Sequence, residues 1–431
     1  MKYRLAVDLG ASSLRVTVED QNKQLFEVYR FQNGPVLNKE HLTWEIDRIF
    51  QEIKIGLKLA IKKYQTIESM AIDSFGCDYV VMHENEKINP VFSYRDRRTF
   101  DIIDEVYDRI TAKELYQISG IQFQPFNTIF QLYKDKKEGR LDKATDFLMI
   151  PEYFTYLLTG RKVHERTMAS TTGILDTSTL EYSKEIVNRL GFNETLFKNI
   201  QNPSFFVGNF TKEIEEEVGG NIPVYLTTSH DTASSVEGID LLDDIPYLSS
   251  GTWSLIGIKQ KEPIKTDEAM TLNYSNERGP SYFRFQKNIM GLWITQRLHN
   301  ELKLDYLEMA RISRESNNEA TFDVNDERFL NPPSMKDEII TYFKERGIIK
   351  KWENKDLLNA VYRSLAKSYS IALSEIEYLT NKKYDKLVIV GGGASNLFLN
   401  EMTKYYTQKE LIILPIESST IGNIKNQKGE D

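Results

Sequence analysis

The chain has 431 residues, 40% of them hydrophobic, with a formal net charge of −8; that is enough for two or three domains of roughly 150 residues and argues against nucleic acid as a main partner. No run of about 18 apolar residues marks a membrane span, and Met1-Lys2-Tyr3-Arg4 leads into a strand too short and too charged for a signal peptide. A single cysteine, Cys77, excludes a disulfide within the chain and points to a reducing, cytoplasmic compartment.

Alternating strand and helix signals over residues 1–240 predict an α/β domain. Leu5-Ala6-Val7-Asp8-Leu9 is a strand that runs through Gly10-Ala11-Ser12-Ser13 into a second strand at Leu14-Arg15-Val16. Glycine removes the Cβ that would keep a ligand off the backbone, so this turn can aim several N–H groups at one anion, and phosphate is the expected one. Asp8 ends an otherwise apolar strand beside that turn, where a carboxylate would hold hydrated Mg²⁺; a turn-forming Asp is the plainer alternative. Apolar residues at helical spacing predict a helix from Trp44 to about Tyr64. Met70-Ala71-Ile72-Asp73 and Tyr79-Val80-Val81-Met82 read as a further hairpin. Phe75-Gly76-Cys77-Asp78 interrupts it with a ring, a close-approach glycine and a carboxylate that suit a sugar, although an ordinary turn is favoured. Cys77 has no partner for a metal site or a triad and reads as a small buried residue. Asn127 and Thr128 suit an N-cap, and Gly160 suits the stop of a helix beginning near Pro151.

After the apolar run Val224-Tyr225-Leu226, Asp231 emerges where a strand turns into a helix, placed to accept the proton of a sugar hydroxyl. Spacing alone leaves a helix-capping Asp equally open. His230 beside it reads as structural or as a substrate hydrogen-bond partner rather than a catalyst. Gly238 to Pro246 breaks the pattern and places a domain junction near residue 243, giving domains 1–242 and 243–431. A second strand–turn–strand follows at Tyr247-Leu248-Ser249-Ser250-Gly251-Thr252-Trp253-Ser254-Leu255-Ile256. Two such turns one domain apart suggest related domains facing each other across a polyphosphate, and hence a phosphotransferase; this also tips Asp231 towards a general base. Residues 304–354 are charged and weakly periodic. Leu358, Val361, Leu365, Tyr369, Ala372, Ile376 and Leu379 mark an amphipathic helix, and the strand Leu387–Val390 delivers Gly391-Gly392-Gly393 to a loop before a helix opening at Leu397. Asn396 stands where a dinucleotide fingerprint needs its third glycine, and no Gly-x-x-x-x-Gly-Lys-Ser/Thr segment makes a P-loop.

In this order the motifs resemble the FGGY family of carbohydrate kinases over nearly the whole chain. The carrying segments are Val7–Ser13, Ile72-Asp73 with Gly76 and Asp78, Tyr94-Arg95-Asp96 with Arg98-Thr99, Ser119–Phe123, Ser229–Ser234, Leu248–Leu255, Lys287–Trp293 with Gln296-Arg297, and Ile389–Gly393. Lys287-Asn288-Ile289-Met290-Gly291-Leu292-Trp293 points to members acting on L-rhamnulose rather than on glycerol or xylulose. The resemblance implies an α/β fold of two actin-like (ribonuclease H-like) domains around a central cleft, with ATP-dependent transfer to the C1 hydroxyl of L-rhamnulose. By position, Ala11, Ser12, Ser13, Leu14 and Arg15 would line the ATP phosphates, and Thr252, Gln296 and Gly392 would also contact the nucleotide. Gly76, His230, Thr232 and Asn288 would contact the sugar, Asp231 would be the general base, and ATP with Mg²⁺ would be required. Partners would be the sugar and ATP, without nucleic acid or membrane, in a monomer or homodimer. Leu14 stands where the L-rhamnulose members usually have Gly, and the family's chains normally continue well past Asn423, so a terminal helix near the nucleotide pocket is expected to be missing. A kinase for another ketose or deoxy sugar, or a non-catalytic sugar sensor on the same frame, would carry the same turns.

Overall fold

Strand β1 (Tyr3–Leu9) is apolar on both faces because it lies inside a sheet: Leu5, Ala6, Val7 and Leu9 have no exposed surface. In the computed structural model, which describes residues 2–239, 245–414 and 417–428, the chain divides into two units. The first comprises Met1–Asp240, Lys261–Arg284 and Glu417–Asp431; the second comprises Leu241–Gln260 and Phe285–Ile416. The expected junction near residue 243 lies outside the described residues. Residues 261–284 and 417–428, which follow that junction in sequence, pack with the first unit.

In the first unit β1 pairs antiparallel with β2 (Ser13–Glu19), which pairs with β3 (Leu25–Gln32). Helix α1 (Ile46–Lys63) buries Ile49, Ile53, Leu57 and Ala60, matching the helix expected from Trp44 to Tyr64. The next strand, β4 (Ile67–Ser74), lies parallel to β1 with Asp8 opposite Asp73. It does not form the expected hairpin with β5 (Tyr79–His83), which belongs to a different, three-stranded sheet. Both runs are buried on both faces, so alternation could not say which partner each takes. Cys77, half-buried with φ 74°, turns the chain away between them, and β5 pairs antiparallel with β6 (Asp146–Met149).

Asp78, at the start of β5, ties this second layer together. It is fully buried and accepts hydrogen bonds from Trp44 Nε1 at 2.7 Å, the Tyr94 backbone N–H at 2.9 Å and Gln131 Nε2 at 3.0 Å. Gln131 comes from helix α2 (Thr128–Lys137), whose N-cap is Asn127 as expected, although the Asn127 amide donates to the Gln122 carbonyl instead of capping. Helix α3 (Ile150–Thr159) ends at Gly160, left-handed with φ 71°. Strands β7 (Phe206–Gly208) and β8 (Val224–Tyr225) complete the main sheet in the order β7-β8-β4-β1-β2-β3, followed by helix α4 (Asp231–Glu237).

The second unit repeats the opening pattern. Strand β9 (Tyr247–Ser250) pairs antiparallel with β10 (Trp253–Gln260), and the sheet continues to β11 (Phe283–Met290). Helix α5 (Trp293–Leu302) follows, and residues 304–354 contribute two further helices. Helix α6 (Asn354–Thr380) buries the predicted stripe from Leu358 to Ile376. Strand β12 (Lys386–Val390) lies parallel to β9, then come helix α7 (Leu397–Thr407), capped by the Asn396 side chain, and strand β13 (Glu410–Ile413), parallel to β12.

The chain returns to the first unit with helix α8 (Ser418–Lys425), which lies against α4 at backbone contact distance. A Cβ on Gly422 would fall on the Ser234 carbonyl, and one on Gly238 would fall on the Ser418 carbonyl. We expect Gly422→Ala to cost about 1–3 kcal/mol through overpacking. In differential scanning calorimetry it should lower the first unfolding transition by several degrees, while Gly34→Ala, whose Cβ would meet open space, should leave it unchanged.

Burial raises the Asp78 carboxyl from its ordinary 3.8 to about 7 against the pull of its three donors. A raised folded-state value means its stabilising contribution is complete below 3.8 and is lost as pH rises through about 7. Asp78→Asn turns an amide against N–H donors and should destabilise by about 1–3 kcal/mol. The stability gap between wild type and variant, measured by denaturant titration, should narrow as pH is raised through that window.

Candidate active site

The first unit gathers carboxylates and their donors at the carboxyl ends of its two central strands, β1 and β4. Asp8 and Asp73 are opposite each other on parallel strands, and both are buried. Arg15, across the β1–β2 hairpin, donates to Asp8 Oδ2 at 2.5 Å, and Ser419 Oγ of α8 donates to the same oxygen at 2.7 Å. Among the described residues both donors use Oδ2, so Oδ1 remains for water or a hydrated cation. Asn423 Nδ2 donates to Asp73 Oδ2 at 2.5 Å, while Asp73 Oδ1 has no partner among the described residues. Burial first, and then the charge of Asp8, push the Asp73 carboxyl well above the usual range and favour its protonated form. Gln427 extends the row, donating to the Leu5 carbonyl at 2.7 Å and accepting from Ser69 Oγ at 2.7 Å.

Asp231 opens α4, with 31% of its side-chain surface exposed. Thr232 Oγ1 donates to Asp231 Oδ1 at 3.1 Å, and His230 Nε2 stands 3.5 Å from that oxygen. Burial raises the Asp231 carboxyl, His230 opposes the shift, and the charge of Asp8 adds to it. The bridge between Ser74 and His230 brings the end of β4 beside this segment. Gly76 follows directly, and a Cβ there would press on Thr171 at 3.2 Å.

The turn at 10–13 closes with the Gly10 N–H donating to the Ser13 carbonyl at 2.8 Å. Asn33 clamps it from outside, its backbone N–H on the Ser12 carbonyl and its Nδ2 on the Gly10 carbonyl, each at 3.0 Å. The backbone N–H groups of Ala11 and Ser12 have no acceptor among the described residues, as an anion-binding turn requires. Leu14 is fully buried in the core, so any ligand contact at that position is made by its backbone.

The second unit builds its turn almost wholly from main chain. Gly251 N–H donates to the Trp253 carbonyl at 3.1 Å, and the Leu292 N–H donates to the Gly251 carbonyl at 2.8 Å. Gln296 Nε2 donates to Thr252 Oγ1 at 3.2 Å, so two of the expected nucleotide residues meet. Gly391, at φ 84°, sits where a Cβ would lie 2.7 Å from the Ser250 carbonyl, and a Cβ on Gly393 would strike Ser250 Oγ. Gly392 alone of the three is exposed and faces open space. Asn288 lies half-buried on β11.

Asp78, one of the motif residues, is a structural hub rather than a free sugar-binding group. Sequence reasoning missed Ser419, Asn423 and Gln427. Their spacing of four places them on one stripe of a helical turn, the signal that could have found them. It also missed Glu277 and Arg284, which hold His230: Glu277 Oε2 lies 3.1 Å from His230 Nδ1 and 2.9 Å from Arg284 Nη2.

Among the described residues no helix is long and apolar enough to cross a membrane. The sequence model of the FGGY family of carbohydrate kinases matches this chain with its N-terminal domain at residues 3–238 and its C-terminal domain at residues 247–426. A rhamnulokinase of Halalkalibacterium halodurans is 41% identical over 99% of this chain and 93% of its own length. A rhamnulokinase of Bacillus subtilis is 37% identical over 98% of this chain and 89% of its own. Among solved structures, a xylulose kinase from Lactobacillus acidophilus superposes with a TM-score of 0.82 at 17% identity, covering 99% of this chain and 89% of that one. A gluconate kinase from the same organism reaches 0.80 at 16% identity, covering 99% and 88%. Each unit opens with a hairpin joined to a parallel strand, the fold is that of these enzymes, and the chain belongs to the FGGY family of carbohydrate kinases.

Proposed function

We propose that the chain transfers the γ-phosphate of ATP to the C1 hydroxyl of L-rhamnulose. The observation that carries the chemistry is Asp231, a partly exposed carboxylate beside His230 and Thr232 whose affinity for a proton is raised by its surroundings. The substrate follows from the rhamnulokinases that match over nearly the full chain at 37–41% identity.

In the proposed reaction Asp231 takes the proton of the C1 hydroxyl as that oxygen attacks the γ-phosphorus in line. The bond from the γ-phosphorus to the bridging oxygen breaks, and ADP leaves. General-base help of this kind is worth about 10²–10⁴-fold. The amides of Ala11 and Ser12 bind phosphate oxygens, and Arg15, fixed by Asp8, adds a positive charge there. Thr252, Gln296 and the exposed Gly392 bind the nucleotide, and Gly76, Thr232, His230 and Asn288 bind the sugar. Mg²⁺, when bound, neutralises charge on the phosphates, and the spare oxygen of Asp8 suits one of its waters. The same reading puts the protein in the cytoplasm as a monomer or homodimer acting on small molecules.

Asp231→Asn should lower kcat at least about 100-fold while the sugar Kd from calorimetry changes only a few-fold; an Asn variant with near-normal turnover rejects the assignment. A coupled ADP-release assay across several ketoses should give the highest kcat/KM with L-rhamnulose. Sugar binding without ADP release would mark a sensor instead.

Asp231 must be ionised to act, and its carboxyl is raised above 3.8. Turnover should therefore fall on acidification at a pH above that value. A kcat/KM profile at saturating ATP checks this, and an acid limb at or below 3.8 contradicts it.

A further inference from the structure

The expected base has a neighbour whose orientation is controlled from behind. The His230 ring lies between two carboxylates, with Asp231 Oδ1 3.5 Å from Nε2 and Glu277 Oε2 3.1 Å from Nδ1. Glu277 is itself buried and accepts from Nη2 of Arg284, a side chain with no exposed surface, at 2.9 Å. Arg284 Nη2 also stands 3.1 Å from His230 Nδ1. A guanidinium can only donate, so Nδ1 either accepts from Arg284 or joins it as a second donor to Glu277 Oε2, and the carboxylate oxygen, the stronger acceptor, favours the second arrangement. The main chain holds the imidazole as well: the His230 N–H donates to Thr167 Oγ1 at 3.2 Å, and its carbonyl accepts from the Ser234 N–H at 2.9 Å.

We propose that Glu277, braced by Arg284, is a positioning residue that holds the His230 proton on Nδ1 and so presents Nε2 to the site as an acceptor for a hydroxyl of the sugar. The inference deepens the kinase reading and rests on it for the identity of that hydroxyl. In the neutral ring one nitrogen donates and the other accepts, so fixing Nδ1 as donor decides what Nε2 can read. A sugar hydroxyl beside Nε2 then donates to the ring, while the hydroxyl that reacts gives its proton to Asp231. With the opposite tautomer Nε2 would donate to Asp231 and engage the base instead of the sugar.

The test begins on the wild-type protein without substrate. Long-range ¹H–¹⁵N spectra of ¹⁵N-histidine-labelled protein at alkaline pH should show His230, assigned from its loss in His230→Gln, with Nδ1 protonated and Nε2 bare. A ring protonated on Nε2 overturns the proposal, whether or not the protein turns over any sugar. Failure of the kinase reading is seen separately, as no ADP release from wild type with any ketose. Glu277→Gln should shift the His230 signals towards Nε2–H. It should also raise KM for the sugar roughly 10- to 100-fold, the scale of one misdirected hydrogen bond, and leave KM for ATP within about twofold. Glu277→Asp, which keeps a charged acceptor, should recover much of the loss. An unchanged sugar KM in folded Glu277→Gln, or equal losses for both substrates, overturns the proposal; if that variant does not fold, the wild-type spectrum still decides.

Discussion

Two carboxylates face each other across adjacent parallel strands, and much of the first unit is arranged to make that burial tolerable. Asp8 and Asp73 share a register position in the middle of the sheet. Left without donors, buried carboxylates cost several kcal/mol. Their partners come from far along the chain: Arg15 from the next strand, then Ser419 and Asn423 from α8. To bring those donors close, α8 must approach α4 until only glycine fits at positions 238 and 422. Asp231 starts the helix on the other side of that contact.

The two units use different chemistry at equivalent turns. In the first, the hairpin is flanked by the Arg15–Asp8 ion pair, and burial, with the charge of Asp8 added to it, shifts the neighbouring Asp73 towards neutrality. In the second, side-chain charge gives way to backbone packing, with Gly291, Gly391 and Gly393 each placed where a Cβ would meet Ser250, Gly251 or Ser254. Charged groups suit a place where protons and phosphoryl charge move, whereas a wall of main chain suits recognition of a ligand that is only held.

Local signals carried most of what could be read from the chain. The two turns, the helix over Asn354–Thr380 and the loop after Val390 stood out because their glycines, caps and spacings lie within short windows. Asp231 could be picked out because a lone acid follows an apolar run. The hairpin expected at residues 70–82 failed for the opposite reason: both strands are apolar on both sides, and which neighbour each takes is settled by residues distant in sequence. Glu277 and Arg284 gave no signal, since a Glu and an Arg in a polar segment acquire meaning only when folding sets them against His230. Asp78 sits in a motif shared with the family, and its motif alone could not separate ligand binding from the support it gives Trp44, Tyr94 and Gln131.

The return of residues 417–428 to the first unit bears on how the protein is made. A ribosome synthesises Asp73 350 residues before it reaches Asn423, and β1 earlier still. Throughout that interval the nascent sheet lacks the amide that satisfies Asp73 and the hydroxyl that meets Asp8. The first unit to emerge is therefore the last to reach its final hydrogen bonding, and translation must pass through the whole second unit before the nascent chain can lock.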